Sequence, residues 1–368
     1  MAKEIKKKKR KFKKRFWVLT GIILVFILVI GLATGYVYSK LNKFSYHDGT
    51  IDEQTASDMI VEDVSEEEST DSLISEEEAA GLTEMEAVLA EGETVTDKDV
   101  VNILLLGTDE RTKNFSTNAR ADSIMILSLN KRDKTMKLVS LQRGMGVPVL
   151  DGPYEGQYDW ITHMFRYGGA DLMMRTVNEM FHVEVDYYMR VNFNTFAQLV
   201  DSVGGVDITL TDVEASALNG EIRTNAYAKH LMYPGVNHLD GYDALQYSRL
   251  RYTDSDWKRV QRQRTVIQAV MTACKDMSIF ELDAMLNEVL PLIQTNMTPT
   301  EMLGLLQYSS AVLGQNFEQM TIPAQGTYGT MTGMGGRSLY AVDFQKNTEI
   351  LHEFLYKATE TESDSDNT

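Results

Sequence analysis

The stretch Tyr247 to Arg264, YSRLRYTDSDWKRVQRQR, holds Arg249, Arg251, Arg259, Arg262 and Arg264, with Asp254 and Asp256 between them. The chain carries a formal net charge of −17, so a local gathering of guanidinium groups needs a reason. The planar fork of Arg meets phosphate oxygens two at a time, which the point charge of Lys cannot do. The segment reads as an anion site for phosphate or pyrophosphate. The plainer reading is a solvated helix start whose Asp and Arg residues pair among themselves. Two further clusters flank early apolar runs. Asp109-Glu110-Arg111 is followed by Asn118-Ala119-Arg120-Ala121-Asp122, and Arg143 closes the run MKLVSLQ. Asp109 ends one expected strand and Asp122 opens the next. Carboxylates so placed can share a hard cation such as Mg²⁺, which keeps waters for phosphate oxygens. The alternative is a set of loop ion pairs among Asp109, Arg111, Arg120 and Asp122.

The elements that must position these groups are legible as periodicities. VVNILLLGTD is a short apolar run ending in a polar loop, as a buried strand would. Ser123 to Asn130 and Met136 to Gln142 are two more strands, joined by a turn at Lys131, Arg132 and Asp133. Helices are expected in ADLMMRTVNEMF, NFNTFAQLVDSVG, GYDALQYSR and DWKRVQRQRTVIQAVMTACKDM, with a strand in GGVDITL. Late helices fit IFELDAMLNEVLPLIQ, TPTEMLGLLQYSSAVL and Phe344 to Tyr356, with a strand in MTIPAQ. Strands mixed with longer helices give an α/β or layered α/β/α domain over residues 97–357. Open α/β sheets gather ligands beyond their strand ends, so the charged clusters can converge there.

Upstream, residues 3 to 15 carry ten Lys or Arg and one Glu, and Phe16 to Tyr38 runs without a charge. At a rise of about 1.5 Å per residue, that run spans a bilayer. Trp17, Tyr36 and Tyr38 sit where interfacial aromatics belong, and the basic side stays in the cytoplasm. The favoured reading is an uncleaved anchor at 16–38 behind a basic cytoplasmic tail at 1–15; a cleaved signal peptide is the alternative. Anionic lipid and orientation account for the tail, so no nucleic-acid partner is expected. Residues 39–96, acidic and without Lys or Arg between Lys43 and Lys98, read as a disordered extracellular spacer, within which LTEMEAVLAEGE suggests a short helix. Residues 358–368 read as a disordered acidic tail. The one cysteine, Cys274, excludes an intrachain disulfide, and its apolar helical setting suits a packed thiol. The six histidines show no zinc spacing.

NILLLGTDER, NARADSIMILSLN, KLVSLQR, the YGG of Tyr167 to Gly169, VDYYMRVNF, LVDSVGGVDITL and HLDGYDALQYSRLRYTDSDWKRVQRQ occur in this order. Over Val101 to Val270 the chain resembles the LytR-CpsA-Psr proteins of Gram-positive cell envelopes. The resemblance implies a phosphotransferase, using Mg²⁺ or Mn²⁺. It would move a glycopolymer, such as teichoic acid or capsule, from a polyprenyl pyrophosphate carrier to a peptidoglycan hydroxyl. The implied fold is an α/β/α sandwich whose central mixed sheet encloses an apolar lipid tunnel. The metal carboxylates would be Asp109 and Asp122, either of which could take the hydroxyl proton. The pyrophosphate arginines would be Arg120, Arg143, Arg249, Arg251 and Arg259, with Gln263 after the last and Arg111 nearby. Asp109, Asp122 and Arg143 would be catalytic. Two departures stand out. The family pattern I-P-R-D is replaced by Gln142-Arg143-Gly144 after Leu141, and the loss of that Asp could loosen Arg143. Thr162 to Arg166 replaces the family's Asn and Ala ahead of YGG, a segment the resemblance puts near the site mouth. A lipid pyrophosphate hydrolase and a non-catalytic lipid-carrier-binding envelope protein remain as alternatives.

Overall fold

The structure is a computed structural model and describes residues 34–51, 73–74, 76–110, 115–116, 118–152, 154–223, 231–250, 255–312 and 318–357. Residues 34–41 are helical (α1) and Ser45–Tyr46 (β1) is a short edge strand. Helix Glu76–Ala80 (α2) precedes the three expected strands, Val100–Thr108 (β2), Ala121–Asn130 (β3) and Thr135–Leu141 (β4). Gly146–Pro148 (β5) and Tyr158–Trp160 (β6) pair ahead of the long helix Ile161–Phe181 (α3). Then come Val185–Asn192 (β7), Phe193–Ser202 (α4), Val206–Leu210 (β8), Asp212–Arg223 (α5), Gly235–Leu239 (β9) and Gly241–Arg249 (α6). Asp256–Asp276 (α7) and Ile279–Val289 (α8) follow. Pro291 removes a backbone donor, so the chain tightens into a 3₁₀ turn at Leu290–Leu292 and leaves as Gln294–Thr295 (β10). Pro299–Val312 (α9), Glu318–Ile322 (β11), Tyr328–Thr332 (β12), Ser338–Val342 (β13) and Phe344–Tyr356 (α10) complete the chain.

Seven strands form one mixed sheet in the order β1-β10-β7-β2-β3-β4-β11. β3 is antiparallel to β2 and β4, while β7 is parallel to β2 and β11 to β4. β2, β4, β7 and β11 therefore end at one edge, where β3 begins. Alternation along the strands divides the apolar side chains between two faces. Leu104, Leu106, Ile124, Ile126, Val139 and Leu141 join α3 and α10 in the main core. Ile103, Leu105, Met125, Leu127 and Leu138 turn the other way, toward α1, α7 and α9. Helices thus cover both faces. A smaller core joins α4, α6 and α7 to the β8-β9 pair.

Three expectations change. The spacer reading of 39–96 does not hold for 39–51 or 76–96: β1 pairs with β10, and Glu84, Val88 and Val95 bridge to Thr330, Asp343 and Val183. Glu84, Glu86, Glu91 and Glu93 are exposed, while Glu78 accepts from the Tyr340 hydroxyl at 2.7 Å and Ala79, Leu82, Ala87 and Ala90 pack on the main core. The helix there is Glu76–Ala80, not LTEMEAVLAEGE. β7, a central strand, was hidden by polar residues at inward positions. Of the apolar run 16–38, only 34–38 are described, within α1. Among the described residues no helix is long and apolar enough to cross a membrane.

The YGG motif has a mechanical role. α3 kinks at Gly168 and Gly169, and Gly169 has φ 67°. A Cβ there would lie 2.5 Å from the Gly49 carbonyl, which accepts from the Asp171 N–H at 2.9 Å. Tyr167 donates to Asp159 Oδ2 at 2.6 Å; His163 Nδ1 lies 3.0 Å and Arg337 Nη1 3.3 Å from the same oxygen. Asp159 is fully buried and His163 nearly so, which puts His163 in the interior and not at a mouth. Burial alone would raise the Asp159 carboxyl, but His163, Arg337 and Tyr167 hold it below the ordinary carboxylate range. Its contribution to stability is then present above the unfolded carboxyl pKa and is lost as pH falls through the lower folded value. Asp159→Ala strands Arg337 and should cost about 3–5 kcal/mol near neutral pH, and less in acid; thermal unfolding across pH checks both.

Candidate functional site

The sheet edge where β2, β4, β7 and β11 end collects the charged residues. The β2-β3 register steps from Gly107↔Ser123 to Thr108↔Ala121, so Asp122 is the extra residue of a β-bulge. Bulges re-aim side chains, and Asp122 meets Arg143, just past the end of β4, with Oδ1 2.6 Å from Nη1. Arg143 Nε donates to Asp256 Oδ1 at 3.2 Å, and Arg259 Nε lies 3.0 Å from the same oxygen. Arg259 Nη2 also donates to the Asp122 carbonyl at 2.9 Å. Two arginines and two carboxylates from β3, the β4 end and the first turn of α7 thus form one charge-balanced network. Arg143 is only 3% exposed. Asp256 opens α7, where exposed backbone N–H groups favour an anion.

The missing family Asp after Arg143 does not loosen it, because Asp122 and Asp256 hold it. A Cβ on Gly144 would lie 3.2 Å from the ring of Tyr340. Tyr340 packs edge-on against Tyr328, and Tyr328 stacks on Trp257 of α7. This aromatic row occupies the space that a larger residue at 144 would need.

Asp109 and Arg120 face each other across the β2-β3 end. Asp109 Oδ1 accepts from the Arg120 N–H at 2.9 Å and Oδ2 from its Nε at 3.3 Å. Arg249, last in α6, lies over the Phe193 ring at 4.4 Å. Gln263 is half-buried on α7. Arg111 and Arg251 lie outside the described residues. The late arginines do not all converge. Arg262 donates to the Leu250 carbonyl at 2.6 Å and pairs with Glu214, and Arg264 donates to the Met320 carbonyl at 3.1 Å. These two hold the fold together, but neither is a solvated residue paired with the segment's own Asp: Arg262 is 3% exposed, and Glu214 and the Leu250 and Met320 carbonyls serve as partners.

Sequence reasoning passed over Arg190 and Gln142. Arg190, inward on β7, ion-pairs with Glu110 and donates to Thr108 Oγ1 at 3.1 Å, Gln294 Oε1 at 3.0 Å and the Ser116 carbonyl at 2.7 Å. Phe115 and Phe165 flank its guanidinium, and burial lowers its pKa despite Glu110. It pins the loop between Asp109 and Arg120. Gln142 is fully buried, yet neither atom of its side-chain amide has a protein partner. A buried amide left so asks for water or a ligand. A departure from the family's Pro was the available signal for Gln142; for Arg190, a lone charge in an otherwise strand-like run.

Among the described residues no three His, Cys, Asp or Glu side chains gather into a metal cage. Asp109 and Asp122 stand at the same end of the sheet, the first paired with Arg120 and the second with Arg143. That pair of carboxylates fits a cation that keeps waters and takes phosphate oxygens, as Mg²⁺ does.

A mixed sheet with arginines and carboxylates gathered beyond its strand ends defines an α/β protein built to hold an anion. The chain belongs to the LytR_cpsA_psr family, which matches residues 54–354. TagT of Bacillus subtilis (strain 168), a polyisoprenyl-teichoic acid–peptidoglycan teichoic acid transferase, is 30% identical over 319 residues, 86% of this chain and 88% of TagT. TagU of Bacillus mycoides (strain KBAB4), with the same activity in its name, is 34% identical over 235 residues, 63% of this chain and 71% of TagU. TagT bound to LIIa-WTA is a similar solved structure, with TM-score 0.55, 28% identity, and coverage of 73% of this chain and 99% of that one. The family protein YwtF (TagT) with bound octaprenyl pyrophosphate lipid gives TM-score 0.51 at 26% identity, covering 73% and 99%.

Restoring the family carboxylate is expected to harm this protein. Gly144→Asp should destabilise it by about 1–3 kcal/mol through crowding at Tyr340, with no gain in activity. Denaturant unfolding beside a transfer assay tests this.

Proposed function

We propose that this chain is a membrane-anchored extracellular phosphotransferase that moves a glycopolymer of the teichoic acid class from a polyprenyl pyrophosphate carrier to a peptidoglycan hydroxyl. The observation that carries this reading is the meeting of Arg143, Arg259, Asp109, Arg120 and Asp122 at one sheet edge. The named activities of TagT and TagU, and the lipids bound in the TagT structures, support it.

Phosphoryl transfer asks a protein for position and charge more than for covalent help. Arg143 is locked by two carboxylates and holds its donors in place without a reorganisation cost. Arg120 is a third exposed and pairs with Asp109 at 3.3 Å, so part of its guanidinium faces the solvent from which a diphosphate would come. Asp109 and Asp122 would hold a Mg²⁺ or Mn²⁺ ion, which would supply neutralisation of phosphate charge. Arg249, Arg251, Gln263 and Arg111 belong to this reading by family position. The acceptor hydroxyl attacks the phosphorus that carries the sugar, and the bond to the bridging oxygen breaks. Polyprenyl phosphate leaves, and the hydroxyl proton passes to Asp109 or Asp122. Gln142 offers a buried donor and acceptor close to these groups.

The prenyl chain needs an apolar berth. Leu104 and Ile126 on the main-core face are fully buried, whereas Leu105, Leu127 and Met189 on the opposite face of the same central strands are half-buried. Ile267 and Met271 of α7 above them are half-buried as well. Side chains left partly open between a sheet and its covering helices border space, which we assign to the lipid. Residues 16–38 would anchor the chain with residues 1–15 in the cytoplasm.

Arg259→Ala and Asp122→Asn should each lower transfer by about 10²–10³-fold, and a chelator should abolish it until Mg²⁺ or Mn²⁺ is returned. The measurement is covalent attachment of labelled polymer from a prenyl diphosphate donor to added glycan. Release of polymer to water alone, with glycan present, would identify a hydrolase. Unchanged transfer in both variants would overturn the assignment of these residues, and no transfer by the unsubstituted protein, with donor still bound, would leave only a lipid-binding role.

A further inference from the structure

Ile279 and Phe280 open α8, and they are 73% and 84% exposed. These are the most exposed large apolar neighbours among the described residues, and they are held rigidly. Ser278 caps the helix: its hydroxyl accepts from the Glu281 N–H at 3.3 Å, and Glu281 Oε2 accepts from the Ser278 N–H at 2.8 Å. The box satisfies polar groups at a terminus that would otherwise resist an apolar setting.

The contacts along α8 say which way this terminus faces. Tyr36 of α1 donates its hydroxyl to Asp283, and Lys40 Nζ lies 2.5 Å from Asp283 and 2.7 Å from Asn287. Lys43 Nζ reaches Asn287 at 2.6 Å. The residue numbers rise together, so α1 and α8 run side by side in the same direction. Moving toward the start of α8 is therefore moving up α1 toward the uncharged run that begins at Phe16. Ile279 stands one turn, about 6 Å, beyond Asp283. That places it level with the chain just ahead of Tyr36, where every residue is still uncharged. Tyr36 and Tyr38 are of the type that sits at headgroup depth. One turn further lies the acyl boundary, the depth at which surface helices bury their apolar side chains.

We infer that Ile279 and Phe280 insert into the outer leaflet of the bilayer that holds residues 16–38, giving the catalytic domain a second, non-covalent footing beside its anchor. This rests on the anchored reading above. α7 spans at most about 30 Å from Asp256 to its end, so the footing fixes how far the charged sheet edge stands from the headgroups. It also turns the half-open face beneath α7 toward the lipid source.

The test uses the full chain, with Cys274→Ser, in vesicles of phosphatidylglycerol and cardiolipin. Single cysteines at Leu28, Phe280 and Val236 carry a fluorophore, and quenching by nitroxide-labelled lipid is read. Val236 is 73% exposed and serves as the water-facing reference. The expected result is quenching at Leu28→Cys and Phe280→Cys, with Val236→Cys unaffected. Quenching at Leu28→Cys while Phe280→Cys behaves like Val236→Cys would overturn the insertion alone. No quenching at Leu28→Cys would overturn the anchor, and the insertion with it. As a second measurement, the pair Ile279→Ser and Phe280→Ser should weaken apparent affinity for vesicle-embedded prenyl donor several-fold. Turnover of a short-chain soluble donor should not change. Equal loss with both donors would contradict the proposal.

Discussion

Burying an arginine obliges a fold to bury its counter-charge, and this site is organised by that obligation. Arg143 is removed from water at the end of β4, where it would be untenable alone. Asp122 and Asp256 answer it, and Asp256 in turn brings Arg259. The members come from three places in the chain. Asp122 owes its aim to a bulge, and Asp256 its position to the start of α7. The network therefore ties the sheet edge to the helix that roofs it, and fixes the guanidinium groups before any ligand arrives.

The same logic divides the arginines by mobility. Arg143 and Arg259 are fully committed and serve as a fixed wall. Arg120 is more exposed and bound to Asp109 in a looser pair. In the reading proposed above, the fixed groups would supply a preorganised field for a diphosphate, and the more exposed guanidinium of Arg120 would meet it from the solvent side. The two faces of the sheet show a parallel division. One face packs against α3 and α10, and on the other, beneath α7 and α9, Ile103, Met125 and Leu138 are buried while Leu105, Leu127 and Met189 are half-buried.

The strands at the heart of this fold were readable because VVNILLLGT and SIMILSLN are apolar on both faces, as strands covered on both sides must be. Most helices were readable from 3.6-residue periodicity, though α5 and the first half of α3 were not, and the strand-end positions of Asp109, Asp122 and Arg143 followed. β7 was not readable. Its inward positions include Arg190, whose burial makes sense only once Glu110, Thr108 and Gln294 are alongside, and Asn192, whose side chain accepts from Thr195 at the start of α4. The acidic stretch after the anchor misled for a related reason. Net charge describes side chains that face water, whereas residues 76–96 are held by backbone bridges and by a few small apolar side chains. The partnership of Arg143 with Asp256 was equally hidden, since 113 residues separate them and the family pattern offered a neighbouring Asp instead.

That substitution explains why sequence departures near an active site need not mean lost function. The family Asp next to Arg143 is replaced by Gly144, and the freed volume is taken by Tyr340. Tyr340 continues through Tyr328 to Trp257, one residue after Asp256. The aromatic row thus packs against the very turn of α7 that supplies a second carboxylate to Arg143. Removing one carboxylate and anchoring another by aromatic packing keeps the charge balance at the guanidinium. What changes is the wall beside it, from a small charged side chain to stacked rings. In the reading proposed above, a wall of that kind would act on the approaching acceptor, while Asp122 and Asp256 keep Arg143 in place whatever stands at position 144.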